Sequence, residues 1–273
     1  MSARAEAARV AQGLKAAGVP DSAFEAELLV RTAAGLTRPE YFANPELDGP
    51  ARDRLTELTS RRAQREPFAY IARSREFFGR EFFVTPDVLI PRPETETLVE
   101  VGLAELKRNP NAVVVDIGTG SGAIAVSVAA SAPHATVVGI DVSIAALAVA
   151  RANAARLSPS VRFLRASLAS AVGHADVILA NLPYIPSRVI ATLEPEVRDW
   201  EPRHALDGGA DGLDLVRALI DDCGRRRRPR LLALEVAVGQ DVSVARYGRS
   251  LGAGVTVARD LAGIERVVCL RWE

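Results

Sequence analysis

Val113-Val-Val-Asp116 is an unbroken apolar run closed by an acid, and Ile117-Gly-Thr-Gly-Ser-Gly-Ala123 follows it without a gap. A short apolar run bounded in this way reads as a strand buried on both faces, and the glycines permit a tight turn into the next element. Ile124 to Ala132 then reads as a helix, Thr136-Val-Val-Gly-Ile-Asp141 as a second strand, and the alanine-rich stretch Ile144 to Arg156 as a second helix. Val161 to Leu164, Ala175 to Ala180, Leu231 to Val236 and Arg266 to Leu270 supply further strands. Strands that alternate with helices are joined by crossovers, so the chain from Asn111 onward is predicted to form an open, mostly parallel α/β sheet.

The preceding residues have a different texture. Ala3 to Ala17 is rich in Ala and Leu and ends at Gly18-Val19-Pro20, and a second helical pattern starts at Ser22-Ala-Phe-Glu25, which has the spacing of a capping box. A third helix is predicted from about Gly49 to Arg65, with Leu55 and Leu58 turned inward and many exposed arginines. Glu76-Phe-Phe-Gly-Arg-Glu-Phe-Phe-Val84 places two aromatic runs around Gly79-Arg80, the pattern of a short hairpin. None of these helices carries a catalytic constellation, which suits a packing or partner-docking unit.

Composition removes several function classes. Lys+Arg and Asp+Glu both number 34 in 273 residues, so nucleic-acid binding driven by overall charge is not expected. The basic run Arg225 to Arg228 reads as a solvated turn between a helix and a strand. Cys223 and Cys269 lack a zinc or disulfide spacing, and His134, His174 and His204 are scattered, so no metal site is expected. The opening MSARAEAARVAQGLKAAG carries acids and no long apolar core, and no run of 18 or more apolar residues follows, which predicts a cytoplasmic protein with no membrane span.

Three segments carry chemistry. Gly118-Thr-Gly-Ser-Gly122 is G-x-G-x-G, without the third spacing of a dinucleotide loop or the Gly-Lys-Ser/Thr of a phosphate loop. Asp141 closes the next strand, about 20 residues on, where an acid accepts hydrogen bonds from a ribose hydroxyl pair. The competing reading of Asp141 is the N-cap of the helix that begins near Ser143. Asn181-Leu-Pro-Tyr184 stands at the end of a later strand. In this order the three look like a methyltransferase that uses S-adenosylmethionine and releases S-adenosylhomocysteine, and the tetrapeptide is similar to those of enzymes that methylate nitrogen in planar, conjugated groups. Such a nitrogen is a poor nucleophile because its lone pair is delocalised. The side-chain oxygen of Asn181 and the carbonyl of Leu182 would accept its two N–H bonds, Pro183 would fix the backbone and Tyr184 would pack on the planar group.

Val88-Leu-Ile-Pro-Arg-Pro-Glu-Thr-Glu96, Asp116 to Ala123, Asp207-Gly-Gly-Ala-Asp-Gly-Leu-Asp214 and Asp260-Leu-Ala-Gly263 together closely resemble the HemK/PrmC family of protein-(glutamine-N5) methyltransferases. The resemblance implies a Rossmann-like class I methyltransferase sheet over residues 86–273, a helical domain over 1–68 that engages the partner, and a hairpin linker over 69–85. It implies a substrate, the glutamine of the Gly-Gly-Gln motif of peptide-chain release factors. Gly118, Thr119, Gly120, Ser121, Gly122, Asp141, Ser167, Leu168 and Asn181 would border the cofactor. Asn181, Leu182, Pro183 and Tyr184 would hold the glutamine amide, and Arg92, Pro93, Glu94 and Thr95 would shape the entrance.

The chain also departs from the family pattern. Leu182 replaces a proline, Ser167 an acid and Ala237 a glycine, and Tyr70-Ile-Ala-Arg73 is altered. These departures motivate an alternative in which a diverged member methylates a small amide or guanidinium. An RNA adenine-N6 methyltransferase and a non-catalytic binding protein are the remaining readings.

Overall fold

The computed structural model describes residues 1–158, 160–170 and 173–272. The chain divides into two units, residues 1–73 with 194–200, and residues 74–193 with 201–273.

The first unit is helical: α1 Ala3–Ala16, α2 Ser22–Ala34, α3 Arg38–Phe42, α4 Gly49–Ala63 and α5 Phe68–Ala72. Val10, Leu14, Leu29, Val30, Leu55 and Leu58 form its core. The capping box expected at Ser22 does not form. Asp21, in the left-handed region at φ 49°, precedes α2 without a side-chain cap, and Glu25 turns instead to Arg62. A capping box does form at α3, where the Thr37 hydroxyl accepts from the Glu40 amide and the Glu40 carboxylate accepts from the Thr37 amide at 2.8 Å.

Arg52 and Arg54 of α4 are exposed, as expected of many of its arginines, but Arg62 is not. Arg62 is 2% exposed. Its Nε donates to Glu25 and its Nη2 to Glu196, both at 2.8 Å. Arg65 grips the same Glu196 through Nε at 2.7 Å and Nη2 at 2.6 Å. Burial would raise the Glu196 pKa, but the hydrogen bonds from Arg65 and Arg62 outweigh it and hold the carboxyl below its ordinary value. These pairs explain why residues 194–200, remote in sequence, belong to this unit.

The second unit opens with the hairpin β1 Ser74–Phe77 and β2 Arg80–Phe83. Its turn residues Phe78 and Gly79 have φ of 51° and 67°, the left-handed pair that matches the twist of a two-residue hairpin. Then come α6 Glu96–Leu106, β3 Val113–Ile117, α7 Ala123–Ser131, β4 Thr136–Asp141, α8 Ile144–Leu157, β5 Arg162–Arg165, β6 Val177–Ala180, α9 Asp214–Asp222, β7 Leu231–Glu235, α10 Asp241–Ser250, β8 Gly254–Arg259 and β9 Glu265–Arg271. The seven-stranded sheet runs β5-β4-β3-β6-β7-β9-β8. Its first five strands are parallel, and β9 is antiparallel to β7 and β8. This is the expected Rossmann-like α/β sheet, accompanied by a small N-terminal helical region.

Alternate residues face opposite sides. Val114, Val177, Leu179 and Leu231 pack under α6 and α7 with the hairpin rings Phe77 and Phe82. Val115, Ile117, Ile178, Leu232 and Leu234 meet Leu219 and Ile220 of α9 and Val244 of α10. Burial on both faces accounts for the continuous apolar runs of β3, β6 and β7. The run Cys223–Arg227 forms a turn of π-helix beyond α9 rather than an open turn, with Arg227 Nε donating to Asp222. Both cysteines are free and buried. Among the described residues there is no metal-ligand cluster and no helix long and apolar enough to cross a membrane.

Arg62→Ala leaves the partly buried Glu25 carboxylate without its cation and takes one of two from Glu196, and we expect the full chain to lose about 3 kcal/mol in urea unfolding. A loss under 1 kcal/mol would mean that water replaces the guanidinium without penalty.

Candidate active site

A cleft opens at the carboxyl ends of the parallel strands, where ligands bind in open α/β sheets. Its floor is the loop after β3. Gly118 and Gly120 adopt φ of 74° and 52°, conformations that a side chain would strain. The amides of Gly118 and Thr119 both donate to the Ile140 carbonyl, at 2.8 and 2.9 Å, which ties the loop to the end of β4. Beneath it, the fully buried Asp116 accepts from the Thr119 hydroxyl at 2.6 Å and the Ala125 amide at 3.1 Å. Burial pushes the Asp116 carboxyl up to about 7 against these two hydrogen bonds.

Asp141 accepts from the Gly120 amide on one carboxylate oxygen and from the Ser143 amide on the other, both at 2.9 Å. Each oxygen keeps accepting capacity, and Asp141 lines the cleft. The N-cap of α8 is Ser143 itself, whose hydroxyl accepts from the Ala146 amide at 3.1 Å. The N-cap reading of Asp141 therefore does not hold. Thr119, Ser121, Ser167 and Leu168 also line the cleft. Gly122 does not: a Cβ there would lie 3.2 Å from the Ala150 Cβ, so this glycine serves the close approach of α7 to α8.

Asn181 follows β6. Its Nδ2 donates to the Thr95 hydroxyl at 3.1 Å. Its side-chain oxygen and the Leu182 carbonyl accept no hydrogen bond from the described residues. The Leu182 side chain is buried, and a Cβ at Gly118 would stand 3.3 Å from it. Asn181, Leu182 and Pro183 line the cleft, whereas Tyr184 sends its hydroxyl to Glu235, 3.4 Å away. Burial first, and then the Glu235 charge, raise the pKa of that hydroxyl.

The backbone of this tetrapeptide is braced by two other segments singled out in the sequence. Gln240 Nε2 donates to the Tyr184 carbonyl at 2.9 Å while its Oε1 accepts from the Ala237 amide at 3.0 Å. Ala237 contributes its N–H and is not in the left-handed region, so its backbone conformation does not call for glycine. The Ile185 amide donates to the Leu206 carbonyl at 3.0 Å and the Gly208 amide to the Ile185 carbonyl at 2.9 Å. A Cβ at Gly208 would come within 2.5 Å of the Pro183 carbonyl.

On the entrance side, Arg92 and Thr95 line the cleft, and Pro93 and Glu94 lie outside its lining. Arg92 pairs with the buried Glu201. Residues that the sequence did not mark complete the walls, among them Val142, His204, Ala205 and Leu215. No local pattern distinguishes them; their place follows from where the strand connections run.

Comparison with known proteins agrees with this architecture. A PrmC N-terminal domain model matches residues 7–72 and a Methyltransferase small domain model matches residues 95–192. The release factor glutamine methyltransferase of Geobacter sulfurreducens is 41% identical over 92% of this chain and 90% of its own length. That of Gloeobacter violaceus is 43% identical over 94% of this chain and 93% of its own length. The chain belongs to the release factor glutamine methyltransferase family. Among solved structures, the catalytic domain of hMettl16 in complex with MAT2A 3'UTR hairpin 6 shares the fold, with a TM-score of 0.60 and 18% identity over 80% of this chain and 82% of that one. A methyltransferase from Pyrococcus furiosus does so with a TM-score of 0.53 and 17% identity over 78% of this chain and 98% of that one.

Gly208→Ala can be relieved only by moving backbone, and we expect a loss of about 2 kcal/mol in urea unfolding. Gly173→Ala, where a Cβ meets nothing within 4 Å, is the control and stays within about 0.5 kcal/mol of the parent. Equal behaviour of the two variants would remove the bracing role of Gly208.

Proposed function

We propose that the chain transfers a methyl group from S-adenosylmethionine to the side-chain amide nitrogen of the glutamine in the Gly-Gly-Gln motif of peptide-chain release factors. The observation that carries this reading is the state of Asn181. Its amino end is engaged by Thr95, and its oxygen and the Leu182 carbonyl are left as two acceptors on the cleft. A primary amide offers two N–H donors, and these acceptors meet that demand.

The cleft suits the cofactor. Gly118 and Gly120 keep its floor free of side chains, and Asp141 has accepting capacity left for a hydroxyl pair. Gly118, Thr119, Gly120, Ser121, Gly122, Asp141, Ser167 and Leu168 are the segment residues assigned to hold it, with Gly122 acting through helix packing. S-adenosylmethionine supplies a methyl on a cationic sulfur, which needs no metal to become electrophilic. Asn181 and Leu182 orient the amide, and as its nitrogen gains positive character they stabilise the N–H groups that carry it. The proton then leaves to solvent, so no side chain is required as base. Pro183 limits the backbone freedom of Leu182.

Leu182 in place of proline leaves the chemistry intact, because the atom used is the carbonyl. In this reading the helical domain 1–68 engages the release factor, the hairpin segment 69–85 links it to the catalytic domain 86–273, and Arg92 to Thr95 frame the entrance. The reading implies a cytoplasmic enzyme.

The test is transfer from labelled S-adenosylmethionine to a purified release factor, with mass spectrometry locating the label. Label on the Gly-Gly-Gln glutamine is expected, and its absence in a protein that binds the cofactor overturns the reading. Asn181→Ala is expected to lower kcat about a hundredfold or more with the cofactor Kd within about threefold; undiminished transfer would end the clamp assignment. Ser167→Asp should tighten cofactor binding several-fold by replacing a neutral hydrogen bond with a charge-assisted one. An unchanged Kd in calorimetry would show that residue 167 does not meet the adenine.

A further inference from the structure

Asp260-Leu-Ala-Gly263, one of the segments that carry the family resemblance, does not line the cleft. Asp260 builds a tight turn there. Its Oδ1 accepts from the amides of Ala262 at 2.9 Å and Ile264 at 3.0 Å, and its Oδ2 accepts from Arg266 Nε at 3.2 Å. Gly263 completes the turn in the left-handed region at φ 80°. Arg266 also donates through Nη1 to the Val236 carbonyl at 3.5 Å, which joins the turn to the end of β7. What this polar framework holds out is apolar: Leu261 is 100% exposed and Ile264 36%.

The neighbouring turn repeats the pattern. Strands β7 and β9 pair antiparallel with Glu235 opposite Val267, and the Val236 amide donates to the Arg266 carbonyl at 3.0 Å. The turn Ala237 to Gln240, which leaves β7, and the turn that enters β9 therefore emerge side by side from one sheet edge. Val238 in the first of them is 69% exposed, and Val242 in the first turn of α10 is 59% exposed. A single exposed leucine carries little information. Four large apolar side chains on two adjacent turns, bordered by the ion pair of Arg259 with Glu265, have the make-up of a protein-binding patch. Arg259 and Arg266 are each paired with an acid, so these turns do not offer the free cations that a phosphate backbone requires.

Position identifies the occupant. Ala180, which precedes Asn181, is in register with Leu234, so the patch lies on the same edge as the clamp. Gln240, whose Nε2 donates to the Tyr184 carbonyl at 2.9 Å, stands between Val238 and Val242 in the chain. The patch thus borders the clamp on the β7 side, whereas the glycine loop and Asp141 lie on the other side, at β3 and β4. A Gly-Gly-Gln loop brings one side chain to the cleft, and its glycines offer no surface to grip. A specific protein complex covers roughly 800 Å² on each partner, so the remaining contact must come from the folded surface around the loop. We propose that Val238, Val242, Leu261 and Ile264 form a docking surface for the glutamine-bearing protein substrate, which seats on it an apolar face of the release factor beside the Gly-Gly-Gln loop. This rests on the functional reading above. Because hydrogen bonds already fix both turns, docking has little backbone to order. A second copy of this chain on the patch would cover the edge by which the glutamine must enter.

The test uses the full chain and a purified release factor, with S-adenosylhomocysteine present during calorimetry. Leu261→Asp and Leu261→Lys should each raise the Kd for the factor about tenfold, and Val238→Asp and Val242→Asp several-fold. In the transfer assay KM for the factor should rise in step, while kcat at saturating factor and the cofactor Kd stay within about threefold of the parent. Leu261→Met, which keeps the apolar surface, should bind within about threefold of the parent. A parental Kd in both Leu261→Asp and Leu261→Lys would overturn the proposal. Weakening by the aspartate alone would also overturn it, since the contact would then be electrostatic. A parent that sediments as a dimer and is dissociated by Leu261→Asp would assign the patch to a second copy instead. A parent that neither binds nor methylates the factor would overturn the functional reading and this docking surface with it. A parent that methylates the factor, with Leu261 variants that bind it equally well, would end the docking surface alone.

Discussion

Parallel pairing puts the carboxyl ends of neighbouring strands on one edge, and every feature of the site depends on that. Ile117 is in register with Ile140 on one side and with Ala180 on the other, and Ala180 is in register with Leu234. The residues that leave those strands are the glycine loop, Asp141, Asn181 and Glu235. Four segments spread from Gly118 to Glu235 thus become neighbours. Burial of the strands on both faces keeps the register from slipping, because a shift of one residue would exchange the two apolar faces.

The site uses main-chain atoms heavily, and this explains which substitutions the chain accommodates. Leu182 serves through a carbonyl and Ala237 through an amide that braces Gln240. A side chain can change at either place if the backbone path is kept. Gly208 is the opposite case, since any Cβ there would invade the Pro183 carbonyl. The chain keeps glycine where atoms must approach and varies where only a peptide group is needed.

Buried polar side chains mark the junctions. Asn153, fully buried, joins the Phe83 backbone to the Ser121 carbonyl and so ties the hairpin to the glycine loop. Asp116 staples that loop from below, Glu235 receives the Tyr184 hydroxyl, and Arg62 gathers Glu25 and Glu196. Each costs desolvation, and Asn153 and Arg62 offset it with partners from separate segments, which stabilises one arrangement over others of similar apolar burial.

Much of this was legible from the chain alone. Apolar runs and glycine positions are local, and they located the parallel strands, the hairpin and the cleft loop to within a few residues. β8 was missed because, at the sheet edge, its residues are mostly exposed and carry no apolar run. The capping box at Ser22 failed for another reason: Glu25 had a stronger partner 37 positions away in Arg62. The same distance effect hid the allegiance of residues 194–200 to the helical unit and the meeting of Tyr184 with Glu235. Sequence by itself determined the elements and the motif that presents Asn181, since dihedral preference and apolar periodicity act over a few residues. Tertiary structure alone decided which charged groups meet and which end of the Asn181 amide is free, because Coulomb and hydrogen-bond partners are chosen by packing across the chain.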